Sequence, residues 1–245
     1  MTSPVLAGTL VRRDGVACAP IRYEGRWLPA GDVGAVIYLH HAVRDMVAPE
    51  LLCRETDAFF VEHCGSCGRI LGLFVEERLI AYGVLGLPEP HQESFADGFD
   101  LSAIERAGVA TIDGASVAPE WRGNGLQRVL IAARLAGARA AGRKIAVSTV
   151  APGNVPSLRN LLCSDMTVRA LRHAFGGLRF LVRCDLDLSS QQPPEAGRWI
   201  ALDDVDGALS ALGAGAIGWT LSDTADGARI WYAKPDGHLA AESVG

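Results

Sequence analysis

One stretch of the sequence decides the fold: Val117-Ala118-Pro119-Glu120-Trp121-Arg122-Gly123-Asn124-Gly125-Leu126-Gln127. The residues before it, from Val109 to Val117, are rich in β-branched and small side chains, which is typical of a buried strand. After it, apolar residues recur at helical spacing to Ala140, and four arginines fall mostly on the predicted outer face: Arg128, Arg134, Arg139 and Arg143. The stretch is therefore predicted to be a strand-to-helix turn.

The two glycines of this turn predict an anion site. Gly123 and Gly125 let the backbone adopt positive φ and come close to a ligand. The first turn of the helix offers unpaired N–H groups and partial positive charge, which favour a phosphate. Neither the P-loop nor the dinucleotide-binding pattern fits, because no Gly-Lys-Ser/Thr follows and the glycine spacing differs.

A second polar motif follows the next predicted strand, Lys144 to Val150. Asn154, Ser157 and Asn160 are spaced by three at the start of a short predicted helix that runs through Leu162. Asn154 is a favourable N-cap, and a proline in the first turn supports the same helix start. The spacing predicts a second polar helix start.

Together these motifs resemble the coenzyme A site of the GNAT superfamily of N-acetyltransferases. The family pattern Gln/Arg-x-x-Gly-x-Gly/Ala is matched by Arg122 to Leu126, while Gln127 replaces the final small residue. Leu161 stands where the family often has a tyrosine that acts as general acid. The resemblance implies an α/β (α+β) fold with a central mixed, mostly antiparallel sheet flanked by helices, and acetyl-CoA as cosubstrate. The coenzyme-binding residues it implies are Ser116, Val117, Ala118, Arg122, Gly123, Asn124, Gly125, Leu126, Gln127, Asn154, Ser157, Arg159 and Asn160.

The resemblance also implies a chemistry for the site. A backbone N–H at or next to Val117 would stabilise the oxyanion of the thioester. Asp113 is the first candidate for general base, because a strand period of two places it on the same face as Val117. The other candidate bases are Tyr82, His91, Glu93 and His173, and the candidate acids are Tyr82, Cys163, Ser164 and bulk water. Arg128, Arg134 and Arg159 are candidate partners of the coenzyme 3′-phosphate.

The implied activity is acetyl transfer from acetyl-CoA to a primary amine of a small molecule, directly in a ternary complex. Two alternatives stay open. One is a protein lysine or N-terminal acetyltransferase, for which the acidic loop 88–100 gives a slight indication. The other is a non-catalytic acyl-CoA sensor or assembly protein, which the replacements at Gln127 and Leu161 suggest.

Composition indicates a cytoplasmic protein. The chain has 245 residues with a formal net charge of −5, so it lacks the basic character expected of a nucleic-acid-binding domain. The amino terminus lacks a basic segment followed by a long apolar run, so we expect no signal peptide. No apolar stretch reaches the roughly 20 residues of a membrane helix, so no membrane partner is expected.

The six cysteines are interpreted as reduced thiols. Cys64 and Cys67 form a Cys-x-x-Cys pair, which can bind zinc or act as a redox pair. A closed zinc site needs four ligands, and no second pair follows at a suitable spacing. We therefore interpret Cys64 to Gly68 as a turn between a helix and a strand, and predict no metal site.

The chain is divided by composition into five parts. We predict an N-terminal extension (1–26), a GNAT domain (27–188), a linker (189–196), a small C-terminal β-α-β-β unit (197–235) and a disordered tail (236–245). About forty residues rarely bury a stable core alone. The tryptophans of the C-terminal unit are therefore expected to pack on the main domain or on a second subunit, which allows a homodimer. Trp219 and Trp231 are also candidate walls of the acceptor site.

Overall fold

The computed structural model describes residues 5–12, 19–53, 55–89, 95–99, 101–188 and 191–235. Eleven strands form its single sheet: β1 (Leu6–Leu10), β2 (Ile21–Trp27), β3 (Gly68–Val75), β4 (Arg78–Gly86), β5 (Val109–Val117), β6 (Ile145–Val150), β7 (Thr167–Ala174), β8 (Gly177–Asp185), β9 (Gly197–Ala201), β10 (Ile217–Thr224) and β11 (Gly227–Ala233). Their order across the sheet is β1-β2-β3-β4-β5-β6-β8-β7-β10-β11-β9. Every neighbouring pair is antiparallel except β5 and β6. The predicted mixed, mostly antiparallel sheet is thereby confirmed.

Six α-helices flank this sheet, and local capping explains several of their starts. Thr56 accepts a hydrogen bond from Phe59 N, and Ser102 forms a capping box with Glu105. The helices are α1 (Val33–Arg44), α2 (Asp57–His63), α3 (Ala103–Ala107), α4 (Leu126–Ala140), α5 (Val155–Leu162) and α6 (Val205–Gly213). Among the described residues, no helix is both long and apolar enough to cross a membrane.

The two faces of the sheet pack different helices. The Tyr82 ring of β4 contacts His40 of α1 and Phe60 of α2 on one face. On the other face, a Cβ at Gly83 would lie 2.8 Å from Arg134 Nε of α4. Because successive strand residues point to opposite faces, α1 and α2 cover one side of β4 and α4 covers the other.

The C-terminal β-α-β-β unit extends the main sheet. Strand β10 pairs with β7 through Gly218 and Val168, where a Cβ on Gly218 would lie 2.9 Å from Val168 Cβ. Ile200, Ile230 and Tyr232 share one buried cluster with residues of β7 and β8. The unit therefore buries its apolar face against its own chain. The predicted disordered tail, 236–245, lies outside the described residues.

The tryptophans of this unit do not wall the cavity described below. Trp219 is buried beside Ile217 and Ala233, and its Nε1 donates to Ala233 O at 3.1 Å. Trp231 donates to Pro194 O at 3.0 Å and packs against Trp199, with ring centroids 5.3 Å apart. Their assignment as acceptor-site walls was therefore wrong.

The amino-terminal region is more regular than its composition indicated. Strand β1 pairs with β2 from Leu6–Gly25 to Leu10–Ile21. Strand β2 pairs with β3 from Glu24–Phe74 to Trp27–Leu71. Strands β1 and β2 thus both belong to the sheet, although residues 1–26 were predicted as an extension that precedes the main domain. Strand β7 carries no clear alternation in the sequence and was also missed.

Candidate functional site

A cavity opens where the parallel strands β5 and β6 separate. Their pairing runs from Val109–Ile145 to Thr111–Val147 and then stops, although β5 continues to Val117 and β6 to Val150. Ser148 Oγ donates to Ile112 O at 2.6 Å just past the last pair. The space beyond is a cavity of about 540 Å³ lined by both strands, both glycines of the turn and residues of α1, α4 and α5.

The glycine turn presents an open helix start to this cavity. Gly123 and Gly125 have φ of 75° and 72°, and Gly125 is the N-cap of α4. No side chain caps this helix, so its first-turn N–H groups stay available for an anion. A Cβ at Gly125 would meet no atom within 4 Å, so the space beside the turn is free. The predicted anion-binding geometry is present.

Helix α5 supplies the facing wall. Asn154 caps it by accepting from Ser157 N at 3.3 Å and also donates to Leu51 O at 3.2 Å. Gln127 of α4 bridges the two helices, because its Nε2 donates to Ser157 Oγ and its Oε1 accepts from Asn160 Nδ2, each at 2.8 Å. Gln127, which departs from the family pattern, thus ties together the two walls.

Most of the predicted coenzyme residues line the cavity, and three do not. The lining residues are Ser116, Val117, Arg122, Gly123, Gly125, Leu126, Gln127, Asn154, Ser157 and Asn160. Ala118 donates its N–H to Ile80 O, and Arg159 forms an ion pair with Asp223 at 2.6 Å. Asn124 is hydrogen-bonded to the segment that follows β1. These three residues do not line the cavity, and their assignment to the coenzyme stays a prediction.

A β-bulge corrects the predicted face of Asp113. Gly83 pairs with Ala115, whereas Leu85 pairs with Ile112, so β5 carries one extra residue at this point. An extra residue reverses which face the following residues occupy. Asp113 and Val117 therefore lie on opposite faces, although their spacing by four predicted a shared face.

Asp113 is held in a small polar cradle next to the cavity that it lines. Its side chain is 3% exposed, Thr111 Oγ1 donates to Oδ2 at 2.5 Å, and His63 Nε2 lies 3.6 Å from the same oxygen. A Cβ at Gly86 would lie 2.6 Å from Oδ2, so only glycine leaves room for this arrangement. Burial raises the pKa of Asp113 to about 6, against the lowering effects of Thr111 and the Arg134 charge.

Tyr82 lies on the same face of the sheet, and it also lines the cavity. Its hydroxyl accepts from Ser116 Oγ at 3.3 Å and lies 2.8 Å from His40 Nδ1. Burial raises the pKa of Tyr82 and lowers the pKa of His40, so both groups are favoured in their neutral forms. Asp113 and Tyr82, the two predicted catalytic side chains, are thus brought to one cavity.

Sequence reasoning missed several cavity residues. Glu55, Cys53 and His40 line the cavity, and they come from α1 and from the segment between α1 and α2. Burial raises the pKa of Glu55, and the Asp113 charge raises it further. No local pattern marks these residues, because the chain folding over the sheet is what brings them to the cavity.

The other candidate acids and bases that the structure describes do not line the cavity. His173 is exposed on β7, and Cys163 is exposed at the end of α5; neither lines the cavity. Ser164 Oγ donates a hydrogen bond to Asn160 O at 2.8 Å. His91 and Glu93 fall outside the described residues.

Cys64 and Cys67 lie in the turn between α2 and β3, as predicted. Cys64 is the C-cap of α2, and its thiol contacts Pro29 O at 3.5 Å. Burial raises the pKa of both thiols, so neither is activated as a thiolate. Within the described part of the chain, no group of three or more potential ligands could hold a metal ion.

Arg134 is buried, although it was predicted on the outer face of α4 and as a phosphate partner. It is 1% exposed, and its guanidinium donates to Leu130 O, Val84 O and Asp113 O at 2.8–3.1 Å. Burial lowers its pKa to about 10, so the group remains charged at neutral pH. Arg134 fixes the backbone of the bulge from the α4 side of the sheet.

We expect Arg134→Met to lower the free energy of unfolding by about 3 kcal/mol, because buried carbonyl groups lose their donor. The matched control is Arg128→Met on the exposed side of the same helix, which should change stability by less than about 0.5 kcal/mol. Urea denaturation of both variants measures the difference. Equal effects in the two variants would contradict the structural role given to Arg134.

The arrangement of these elements is the fold of the GNAT acetyltransferases, as comparison with solved structures shows. The structure is similar to yncA of Salmonella typhimurium, a candidate acetyltransferase solved with its cofactor acetyl-CoA, with a TM-score of 0.50 and 20% identity over 71% of this chain and 98% of that one. It is also similar to a GNAT-family acetyltransferase of Streptococcus pneumoniae (TM-score 0.50, 13% identity, 66% and 98% covered).

A third similar structure is the ribosomal-protein-S18-alanine N-acetyltransferase of Escherichia coli, with a TM-score of 0.51 and 11% identity over 70% of this chain and 99% of that one. No family model and no curated protein matches the sequence. At these identities the similarity concerns the fold, and the function must be argued from the site.

Proposed function

We propose that this protein is an acyl-CoA-dependent N-acyltransferase that acetylates a primary amine of a small molecule. One observation carries the proposal: a helix start built to bind an anion and a buried carboxyl group line the same cavity, at the separation of β5 and β6. Such a cavity suits two reactants. One is a donor that carries a pyrophosphate, and the other is an acceptor that must lose a proton.

The coenzyme end of the cavity fits a pyrophosphate. The first-turn N–H groups of α4 have no side-chain cap, and the space beside Gly125 is free. Ser157 and Asn160 on α5, held by Gln127, form the opposite side. The pantetheine arm would lie along the edge of β5 around Ser116 and Val117, the edge that β6 leaves unpaired.

The acceptor end suits proton removal from an amine. The amine nitrogen would form a bond to the thioester carbonyl carbon while the carbon–sulfur bond breaks. The proton lost by the nitrogen would go to the Asp113 carboxylate, and the thiolate would be protonated by Tyr82 or by water. A base with a pKa of about 6 is ionised at neutral pH and still accepts a proton in the transition state.

The size and cover of the cavity favour a small acceptor. Leu51, Leu52 and Cys53, from the segment between α1 and α2, form part of its lining. A protein substrate would need a more open groove in order to reach the Asp113 carboxyl. We therefore assign a small-molecule amine as the acceptor, and the protein acetyltransferase remains the main alternative outcome of the test.

Release of free coenzyme A thiol from acetyl-CoA, measured against a panel of amines and peptides, tests this function. We expect release that depends on one class of small amine. Release only with peptides would make the protein a protein acetyltransferase. Binding of acetyl-CoA, seen as a raised melting temperature, without release under any acceptor would favour the sensor alternative.

A further inference from the structure

The side chain of Asn124 faces the amino-terminal segment of the chain. Its Oδ1 accepts from Val11 N at 2.9 Å, and its Nδ2 donates to Val11 O at 2.8 Å. This two-bond pattern is how one strand pairs with a residue of another, so the amide acts as a one-residue extension of the pairing beyond β1. Residues 5–12, which we call the N-terminal arm, therefore dock directly on the glycine turn.

A second contact joins the arm to the same turn. The Arg12 guanidinium lies over the ring of Trp121, 5.9 Å from its centroid. Trp121 is 3% exposed and lines the cavity just ahead of the two glycines. Asn124 Nδ2 also donates to Trp121 O at 3.0 Å. The same side-chain amide therefore binds both the arm, at Val11, and the start of the turn, at Trp121.

The backbone conformation of the turn needs contacts from outside the turn to stabilise it. Gly123 and Gly125, which flank Asn124, both adopt positive φ, and glycine has many other conformations available when it is not held. No side chain caps α4 at Gly125. The hydrogen bonds of Asn124 to Val11 and Trp121, together with that of Arg122 Nε to Val117 O, hold the turn in the conformation in which the first-turn N–H groups face the cavity.

We propose that the N-terminal arm is a working part of the coenzyme site, and that Asn124 is the positioning residue that couples the two. This inference rests on the proposed function, because it assumes that coenzyme A is the ligand of the turn. Since coupling between two binding events is reciprocal, the docked arm strengthens coenzyme binding and bound coenzyme holds the arm in place.

The first test is the dissociation constant of coenzyme A, measured by calorimetry. Asn124→Ala should bind coenzyme A about tenfold more weakly than the intact chain, which corresponds to about 1.4 kcal/mol. The control is Ile200→Ala, a buried change in the C-terminal unit that lowers stability away from the site. Ile200→Ala should leave the dissociation constant unchanged although it lowers the melting temperature.

The second test is hydrogen exchange at the Val11 amide, measured with and without coenzyme A. If Asn124 only stabilised the fold, its replacement would not remove the effect of coenzyme A on this exchange rate. Saturating coenzyme A should slow this exchange in the intact chain and leave it unaffected in Asn124→Ala. A dissociation constant for Asn124→Ala within twofold of that of the intact chain, or exchange at the Val11 amide that does not change on coenzyme A binding, would overturn the inference. Failure of the intact chain to bind coenzyme A would instead refute the proposed function.

Discussion

A Gly125→Trp variant should lose measurable coenzyme A binding, with a dissociation constant at least about a hundredfold higher, or about 2.7 kcal/mol. The glycine has φ of 72°, and the space beside its Cα is the free space in front of the first-turn N–H groups of α4. An indole there would occupy the position that a phosphate requires. Calorimetry, and the acetyl-CoA-dependent rise in melting temperature, measure the loss.

Gly142 provides the matched control for this change. It also has φ of 72° and open space beside it, but it follows α4 and does not line the cavity. Tryptophan at either position carries a similar backbone strain of about 1–2 kcal/mol, so their melting temperatures should fall alike. Gly142→Trp should bind coenzyme A normally. Retention of binding by Gly125→Trp would show that the ligand does not use this turn.

Asp113→Asn should lower kcat/KM by about a hundredfold to ten-thousandfold, the usual contribution of a positioned general base. The asparagine is nearly the same size, so the cradle formed with Thr111, His63 and Gly86 can accept it. Coenzyme A affinity should not change, because the carboxyl lies on the acceptor side of the site. Steady-state rates, with binding measured separately, separate these two effects.

The raised pKa of Asp113 also predicts how kcat/KM and stability change with pH. Because the pKa of Asp113 is raised to about 6, its base form disappears as pH falls through 6, and kcat/KM should fall with it beyond the loss due to protonation of the amine itself. The ionised carboxyl is disfavoured in the fold, so wild-type stability should decrease as pH rises from about 4 to 6. Asp113→Asn should remove this fall in kcat/KM and the Asp113 contribution to the pH dependence of stability, whereas the contribution of Glu55 remains.

Glu55→Gln provides the comparison variant for the assignment of the base. Glu55 lines the same cavity, and its pKa is also raised by burial. If Glu55→Gln removes the fall of kcat/KM near pH 6 and Asp113→Asn keeps that fall, the base is Glu55. A normal rate and pH profile in Asp113→Asn would in any case contradict the role proposed for Asp113.

Local sequence signals predicted the two helix starts that line the cavity. The glycines of the turn, the capping residue Asn154 and the apolar periodicity of α4 act within a few residues of themselves, so the sequence alone identifies the helix starts on the two cavity walls. The hairpin of β3 and β4 is local in the same way, since its strands are joined by a short turn.

Nonlocal contacts explain what the sequence could not predict. Arg134 resembles any surface arginine until carbonyl groups from β4 and β5 are placed beside it. Asn124 resembles a ligand-facing residue of the motif, but its partner Val11 lies 113 residues away. Glu55 reaches the cavity only because the segment between α1 and α2 lies beside β5, where a Cβ at Gly114 would be 3.6 Å from Glu55 Cγ.

The bulge in β5 has a consequence for how relatives of this chain should be aligned. The bulge adds one residue to β5, so in a homologue without it an acidic residue four positions before the equivalent of Val117 would lie on the α4 side of the sheet. An alignment that matches Asp113 by its distance from the glycine turn would then equate groups on opposite faces. Counting strand pairs back from Ser116 and Tyr82 gives the correct equivalence.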